Sequence, residues 1–148
     1  PALERNGIPP GDLVIEITED TLMKRANQAE RALLALKDIG VRIAIDDFGK
    51  GQSSLNRLRR FPIDIVKIDR DFVRDVPTDA YDSELVTAIV AMAHSLRKNV
   101  VAEGVETNAQ YDFLLLNKCD HIQGYLFSKL ISAESLYDFL SRDKRLCV

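Results

Sequence analysis

Five short apolar runs rich in β-branched residues, separated by stretches of helical spacing, constrain this chain more than any other feature. The runs are Leu13-Val14-Ile15, Ile43-Ala44-Ile45, Ile63 to Ile68, Val100-Val101-Ala102, and Ile122 with its neighbours. Near-continuous apolar runs of this length suit strands buried on both faces, as in a parallel sheet. Between them Ala29, Ala32, Leu33 and Leu36, and again Leu85, Ala88, Ile89, Met92 and Leu96, recur at intervals of three and four and put an apolar stripe on one side of a helix. Boundary signals agree. Gly40 follows the first helical pattern, Thr107 with Gln110 forms a T-x-x-Q capping box, and Ser132 stands where it can cap a last helix at Leu136 to Leu140. Strand then helix, repeated, admits two closures: an open doubly wound sheet or part of a (β/α)8 barrel. A full barrel takes roughly 250 residues. The 148 residues here fit the open sheet by length, or else an incomplete barrel of about five βα units.

Charge and cysteine content narrow the function. Lys and Arg number 20 against 23 Asp and Glu, a net charge of −3. That balance lacks the basic field that draws DNA or RNA, so neither is an expected partner, and a phosphate-bearing ligand needs metal ions or a local cation. Two cysteines, Cys119 and Cys147, make no disulfide framework and fit a reducing, cytoplasmic setting. No apolar stretch reaches the roughly 18 residues of a membrane span. Pro1-Ala2-Leu3-Glu4-Arg5 opens without the basic and apolar regions of a signal, and without Met, as an excised piece would.

Each run leads into polar or acidic residues on its C-terminal side, the edge at which α/β folds place ligands. Leu13-Val14-Ile15 is followed by Glu16-Ile17-Thr18-Glu19, Ile43-Ala44-Ile45 by Asp46-Asp47-Phe48-Gly49, Val66 by Lys67-Ile68-Asp69, Val101-Ala102 by Glu103-Gly104-Val105-Glu106, and Ile122 by Gln123-Gly124-Tyr125. Convergence of these ends gathers six carboxylates, one Lys and one Gln, with Asp69 close by. Carboxylates at that density repel unless cations sit among them, and hard oxygen donors suit Mg2+ or Mn2+. The matching chemistry is metal-assisted hydrolysis of a phosphoester, with two ions roughly 3.5–4 Å apart. Taken singly, Glu19, Asp69 and Glu106 also suit the first turn of a following helix. Lys67, inside an apolar strand pattern, needs an anionic partner because a buried lone ammonium is costly. His94, His121 and Cys119 read as packing or surface residues, and Arg57, Arg59 and Arg60 as a solvated helix face.

These segments resemble the EAL domain family of cyclic-di-GMP phosphodiesterases. The match lies in Glu16-Ile17-Thr18-Glu19, in Asp46-Asp47-Phe48-Gly49 with Gly51 and Ser53-Ser54-Leu55, in Pro62 to Asp69, in Ala102 to Thr107, and in Cys119 to Ser128. The resemblance implies a (β/α)8 TIM-type barrel, present here as the C-terminal part (residues 1–148) of a single EAL domain with its first strands absent. It implies hydrolysis of cyclic-di-GMP to linear pGpG with two Mg2+ or Mn2+. By position, Glu16, Asp46, Asp47 and Glu103 resemble the metal ligands, Glu103 and Lys67 the catalytic pair, and Glu106 and Gln123 the substrate contacts. Glu19 resembles the glutamate that pins the loop after Asp46-Asp47, a loop through which family members dimerise. An upstream sensor or GGDEF domain is a further implied partner.

The chain departs from the family at Lys50 and Gln52, where members carry a small residue or Thr and an aromatic, and at Leu130, where they carry Pro. The signature glutamate and the metal-binding asparagine of the next strand fall upstream of this region in members. By that resemblance the parent domain is an active phosphodiesterase and the 148 residues alone are inactive. The alternatives are a degenerate module that binds cyclic-di-GMP as a receptor or joins other proteins, and an unrelated open α/β signalling domain.

Overall fold

The computed structural model describes residues 2–24, 26–51 and 55–141. A short helix α1 (Ala2–Arg5) and a 3-10 turn (Pro10–Asp12) lead into β1 (Val14–Thr18). Then follow α2 (Glu19–Lys24), α3 (Ala26–Ile39), β2 (Arg42–Phe48), α4 (Leu55–Arg60) and β3 (Ile65–Ile68). The chain continues through α5 (Arg70–Val73), α6 (Ala80–Ser95), β4 (Asn99–Glu103), α7 (Asn108–Leu116), β5 (His121–Gln123) and α8 (Ala133–Ser141). The strands form one parallel sheet in chain order, β1-β2-β3-β4-β5. Sequential order with helical crossovers is the arrangement of an α/β barrel rather than of a doubly wound sheet, whose strand order reverses.

Alternation along the strands sorts residues to two faces. Ile43, Ile45, Val66, Ile68, Val100 and Ala102 join Leu33 of α3 and Val86, Ile89, Val90 and Ala93 of α6 in one hydrophobic cluster. The register sets Glu16 against Ala44, Ala44 against Ile65, Lys67 against Val101 and Glu103 against Gln123 on the opposite face. In a closed barrel that face is the lumen.

The capping box is present: Thr107 Oγ1 accepts from Gln110 N at 3.2 Å, and Gln110 Oε1 accepts from Thr107 N at 2.9 Å. Ser132 Oγ likewise accepts from Ser135 N at 3.3 Å at the start of α8. Two strand limits differ from the sequence expectation. Leu13 ends the 3-10 turn, so β1 begins at Val14 and the ladder carries it through Glu16 to Thr18, opposite Asp46. Ile63 is buried but lies outside β3, because its N–H donates to Phe61 O in the turn through Pro62. Gln52, Ser53, Ser54 and Cys147 lie outside the described residues, as does the side chain of Arg57.

The N-terminal edge of the sheet is closed by a repeated device. Asp64, just before β3, accepts at Oδ2 from Ile43 N of β2 at 2.8 Å, and its carboxylate pairs with Lys37 of α3 at 2.8 Å. Asp120, just before β5, accepts from Val100 N of β4 at 2.7 Å and pairs with His94 Nε2 of α6 at 2.9 Å. In both, a carboxylate ties the first free N–H of one strand to the preceding helix, satisfying a donor the ladder leaves over. Partial burial alone would raise the Asp120 pKa, but the His94 and Val100 hydrogen bonds outweigh it and hold Asp120 below its usual 3.8.

Asp64→Ala leaves the Ile43 N–H unpaired and is expected to cost about 2 kcal/mol in urea unfolding. For Asp120 the lowered folded-state pKa means a stabilising contribution present above the unfolded value and lost as pH falls through the folded one. Wild-type stability should therefore fall between about pH 5 and pH 3 more steeply than that of Asp120→Asn, which urea midpoints across this range will show.

Candidate active site

The C-terminal ends of β1, β2, β3 and β4 bring three carboxylates onto one ammonium. Lys67 Nζ lies 2.7 Å from Glu16 Oε2, 2.7 Å from Glu103 Oε1 and 3.2 Å from Asp46 Oδ1. The register explains the meeting, since these residues alternate to the lumen face of neighbouring strands. The Lys67 side chain is 7% exposed. Desolvation there favours the neutral amine, but the hydrogen bonds it donates to Glu103 and Glu16 and the nearby Asp46 carboxylate outweigh it and keep the ammonium charged above its usual range. The Asp46 approach lacks hydrogen-bond geometry, so Oδ1 is a buried oxygen with no hydrogen-bond partner among the described residues.

Asp47 is set apart by a break in the strand. The β2–β3 register shifts between Ile45 and Phe48, and Asp47 adopts a left-handed φ of 55°. In an unbroken strand Asp46 and Asp47 face opposite sides; the irregularity re-aims Asp47, and Asp tolerates this backbone better than most residues. The Asp47 carboxyl lies beside Asp69 rather than against Lys67, since Phe48 pairs with Ile68. The interaction with Asp69 first, then burial and the nearby Asp46 charge, raise its pKa.

Asp69 is buried and caps α5 through Asp71 N at 2.7 Å. It also pairs with Lys50 Nζ at 2.8 Å. Burial opposes its charge, yet the Lys50, Asp71 and Asp47 contacts hold its pKa below the ordinary value. Sequence reasoning placed Asp69 beside the site but missed its link to Lys50, a residue marked only as a departure from the family pattern.

Glu19 heads α2 and is 2% exposed. Its Oε2 accepts from Gly49 N at 2.9 Å and Gly51 N at 3.3 Å, while Oε1 is buried with no hydrogen-bond partner among the described residues. A Cβ at Gly51 would collide with this carboxylate, so only glycine lets the loop come so close. Glu106 and Gln123 line a cavity of about 230 Å3 together with Glu103, Arg70 and Tyr125. Gly104, at φ 70°, keeps the wall open; a Cβ there would lie 2.6 Å from Arg70 Cβ.

The donors fit a hard divalent cation by chemistry. All are carboxylate oxygens, three of them face a single positive charge, and a buried Asp46 oxygen has no hydrogen-bond partner among the described residues. Among the described residues no three His, Cys, Asp or Glu side chains form a ready ion cage; at the point where Glu16, Asp46 and Glu103 converge stands the Lys67 ammonium.

Fold and site define the class: a parallel α/β barrel domain with an acidic site at the C-terminal ends of its strands. The EAL domain model matches residues 1–130. The cyclic di-GMP phosphodiesterase NbdA of Pseudomonas aeruginosa is 48% identical over 139 residues, covering 94% of this chain and 18% of NbdA. The structure of the MucR phosphodiesterase in complex with c-di-GMP superposes with a TM-score of 0.87 at 44% identity, over 91% of this chain and 55% of that one. BlrP1 of Klebsiella pneumoniae, solved with manganese and c-di-GMP, gives a TM-score of 0.80 at 37% identity, over 86% of this chain and 33% of that one. The chain belongs to the EAL domain family. It spans about a fifth of NbdA and about half of the MucR chain, and its sheet is that of an incomplete barrel.

Lys67→Met removes the charge that holds three carboxylates together and is expected to cost about 3 kcal/mol at pH 7. Denaturant titration of the two proteins at pH 7 measures the loss.

Proposed function

We propose that these residues are the C-terminal part of a single EAL domain whose intact form hydrolyses cyclic-di-GMP to linear pGpG in bacterial second-messenger signalling. The observation that carries this reading is the convergence of Glu16, Asp46 and Glu103 on Lys67 at the strand ends, in a chain 48% identical to a cyclic di-GMP phosphodiesterase. Glu16, Asp46, Asp47 and Glu103 would hold Mg2+ or Mn2+. The manganese and calcium complexes of BlrP1 support divalent metal at such a site. Bound there, the ions supply charge neutralisation at the phosphate and an acidified water.

The protein groups divide the remaining work. Glu103, on the lumen face, accepts a proton from the attacking water. As the bond from water oxygen to phosphorus forms and the bond from phosphorus to the 3′ oxygen breaks, the proton ends on the departing hydroxyl. Lys67, hydrogen-bonded to Glu103, fixes that carboxylate and offers positive charge to the phosphoryl group. Glu106 and Gln123 contact the nucleotide from the cavity they line, and Glu19 holds the loop through Gly49 and Gly51. That loop is the proposed dimer contact, and an upstream sensor or GGDEF domain the proposed regulator; MucR is a bifunctional diguanylate cyclase and phosphodiesterase. The setting is cytoplasmic, consistent with the finding that among the described residues no helix is long and apolar enough to cross a membrane.

The 148 residues alone are proposed to be inactive, because the resemblance places two further metal ligands upstream. A second reading, a c-di-GMP receptor without turnover, is favoured by one observation: Lys50 puts an additional cation beside Asp69. Chromatographic assay of the parent protein with Mn2+ separates the readings. We expect pGpG to accumulate, with Asp46→Asn, Asp47→Asn and Glu103→Gln each lowering kcat at least about 100-fold. Saturable nucleotide binding with no product at any metal concentration would establish the receptor instead.

A further inference from the structure

Lys50 has geometry that neither the sheet nor the proposed chemistry requires. Its Nζ lies 2.8 Å from Asp69 Oδ2 and 2.8 Å from Asp71 Oδ2. Asp71 is exposed, but Asp69 is 4% exposed, caps α5, and lies beside Asp47 because Ile68 pairs with Phe48. One ammonium on the loop after Asp46-Asp47 is thus connected through a single buried carboxylate to Asp47 itself. The other side of the same loop is fixed by Glu19 through Gly49 N and Gly51 N. The segment from Gly49 to Gly51 is therefore held between α2 and α5 by protein groups alone.

We propose that Lys50 is a built-in counter-ion for the Asp47–Asp69 pair, clamping this loop to α5 without metal and opposing a divalent cation at Asp47. The inference rests on the reading of Asp47 as a cation ligand. A cation arriving at Asp47 meets the field of an ammonium close by and finds the charge of Asp69 already compensated, so part of the attraction of the acidic edge is spent before the ion binds. Lys50 touches none of the reacting atoms and is a positioning residue. Its side chain is 44% exposed, so its repulsion of the cation weakens with added salt, whereas a steric effect would not.

The test is Mn2+ binding to the parent domain, followed by the paramagnetic resonance signal of the free ion at low and high NaCl, with amide hydrogen exchange read at Gly49 and Gly51. Lys50→Met removes the charge and keeps an apolar stem; Lys50→Arg keeps the charge; Asp47→Asn marks the site. We expect Lys50→Met to bind Mn2+ about tenfold more tightly than wild type at low salt, Lys50→Arg to match wild type, and the difference to narrow at high salt. Gly49 and Gly51 amides should exchange faster in Lys50→Met without Mn2+ and slow again when it is added. Equal affinities in wild type and Lys50→Met, with binding lost in Asp47→Asn, overturn the counter-ion while leaving the cation reading intact. Unchanged exchange at both glycines overturns the clamp. Mn2+ binding that is absent, or indifferent to Asp47→Asn, overturns both this proposal and the cation reading beneath it.

Discussion

A buried ammonium among three carboxylates is the interaction on which this site depends. Without Lys67, Glu16, Asp46 and Glu103 would repel one another at the C-terminal ends of adjacent strands, and nothing else in the described structure holds them at bonding distance of one point. Without the carboxylates, the ammonium could not stay charged where it is 7% exposed. Neither half of the arrangement is stable alone, and only a parallel sheet with its strands in chain order supplies both halves from neighbouring strands. The opposite face of the same strands, packed on α3 and α6, provides the apolar burial that keeps this polar edge in register.

Around that centre the structure spends irregular backbone where chemistry needs it. The register shift in β2 and the left-handed φ of Asp47 separate two adjacent aspartates, giving Asp46 to Lys67 and Asp47 to Asp69. Buried acids then fix the next layer: Glu19 takes the loop amides on one side, and Asp69 takes Lys50 and the first turn of α5 on the other. The opposite edge of the sheet carries a different use of the same residue type. Asp64 and Asp120 there cap strand amides and pair with Lys37 and His94, so one edge is built for stability and the other for chemistry, as is general in α/β barrels.

The alternation of strands and helices was legible because burial on a sheet and along a helix imposes different periods on the apolar residues. The Thr107–Gln110 box was legible because its partners are three residues apart. The carboxylates, Lys67 and Gln123 could be placed at one edge by chain direction alone. Helices α2 and α5, of six and four residues, are too short to show a period, and their caps read equally as site residues. The bond of Lys50 to Asp69, the turn of Asp47 and the capping of Ile43 by Asp64 depend on which strands become neighbours, information that local spacing does not carry. Ile63 reads as strand by composition and is not one, because the turn through Pro62 engages its N–H elsewhere.

The central claim is that the carboxylates assembled by Lys67 form a divalent-cation site able to serve phosphodiester hydrolysis. Crystals of the parent domain grown with Mn2+ and c-di-GMP, with diffraction recorded at the manganese edge, test it most directly. The account predicts anomalous peaks at the C-terminal ends of the strands, bounded by Glu16, Asp46, Asp47 and Glu103, with a phosphate of the nucleotide against them. Nucleotide bound at this edge with no anomalous density, or manganese only elsewhere on the surface, would contradict it.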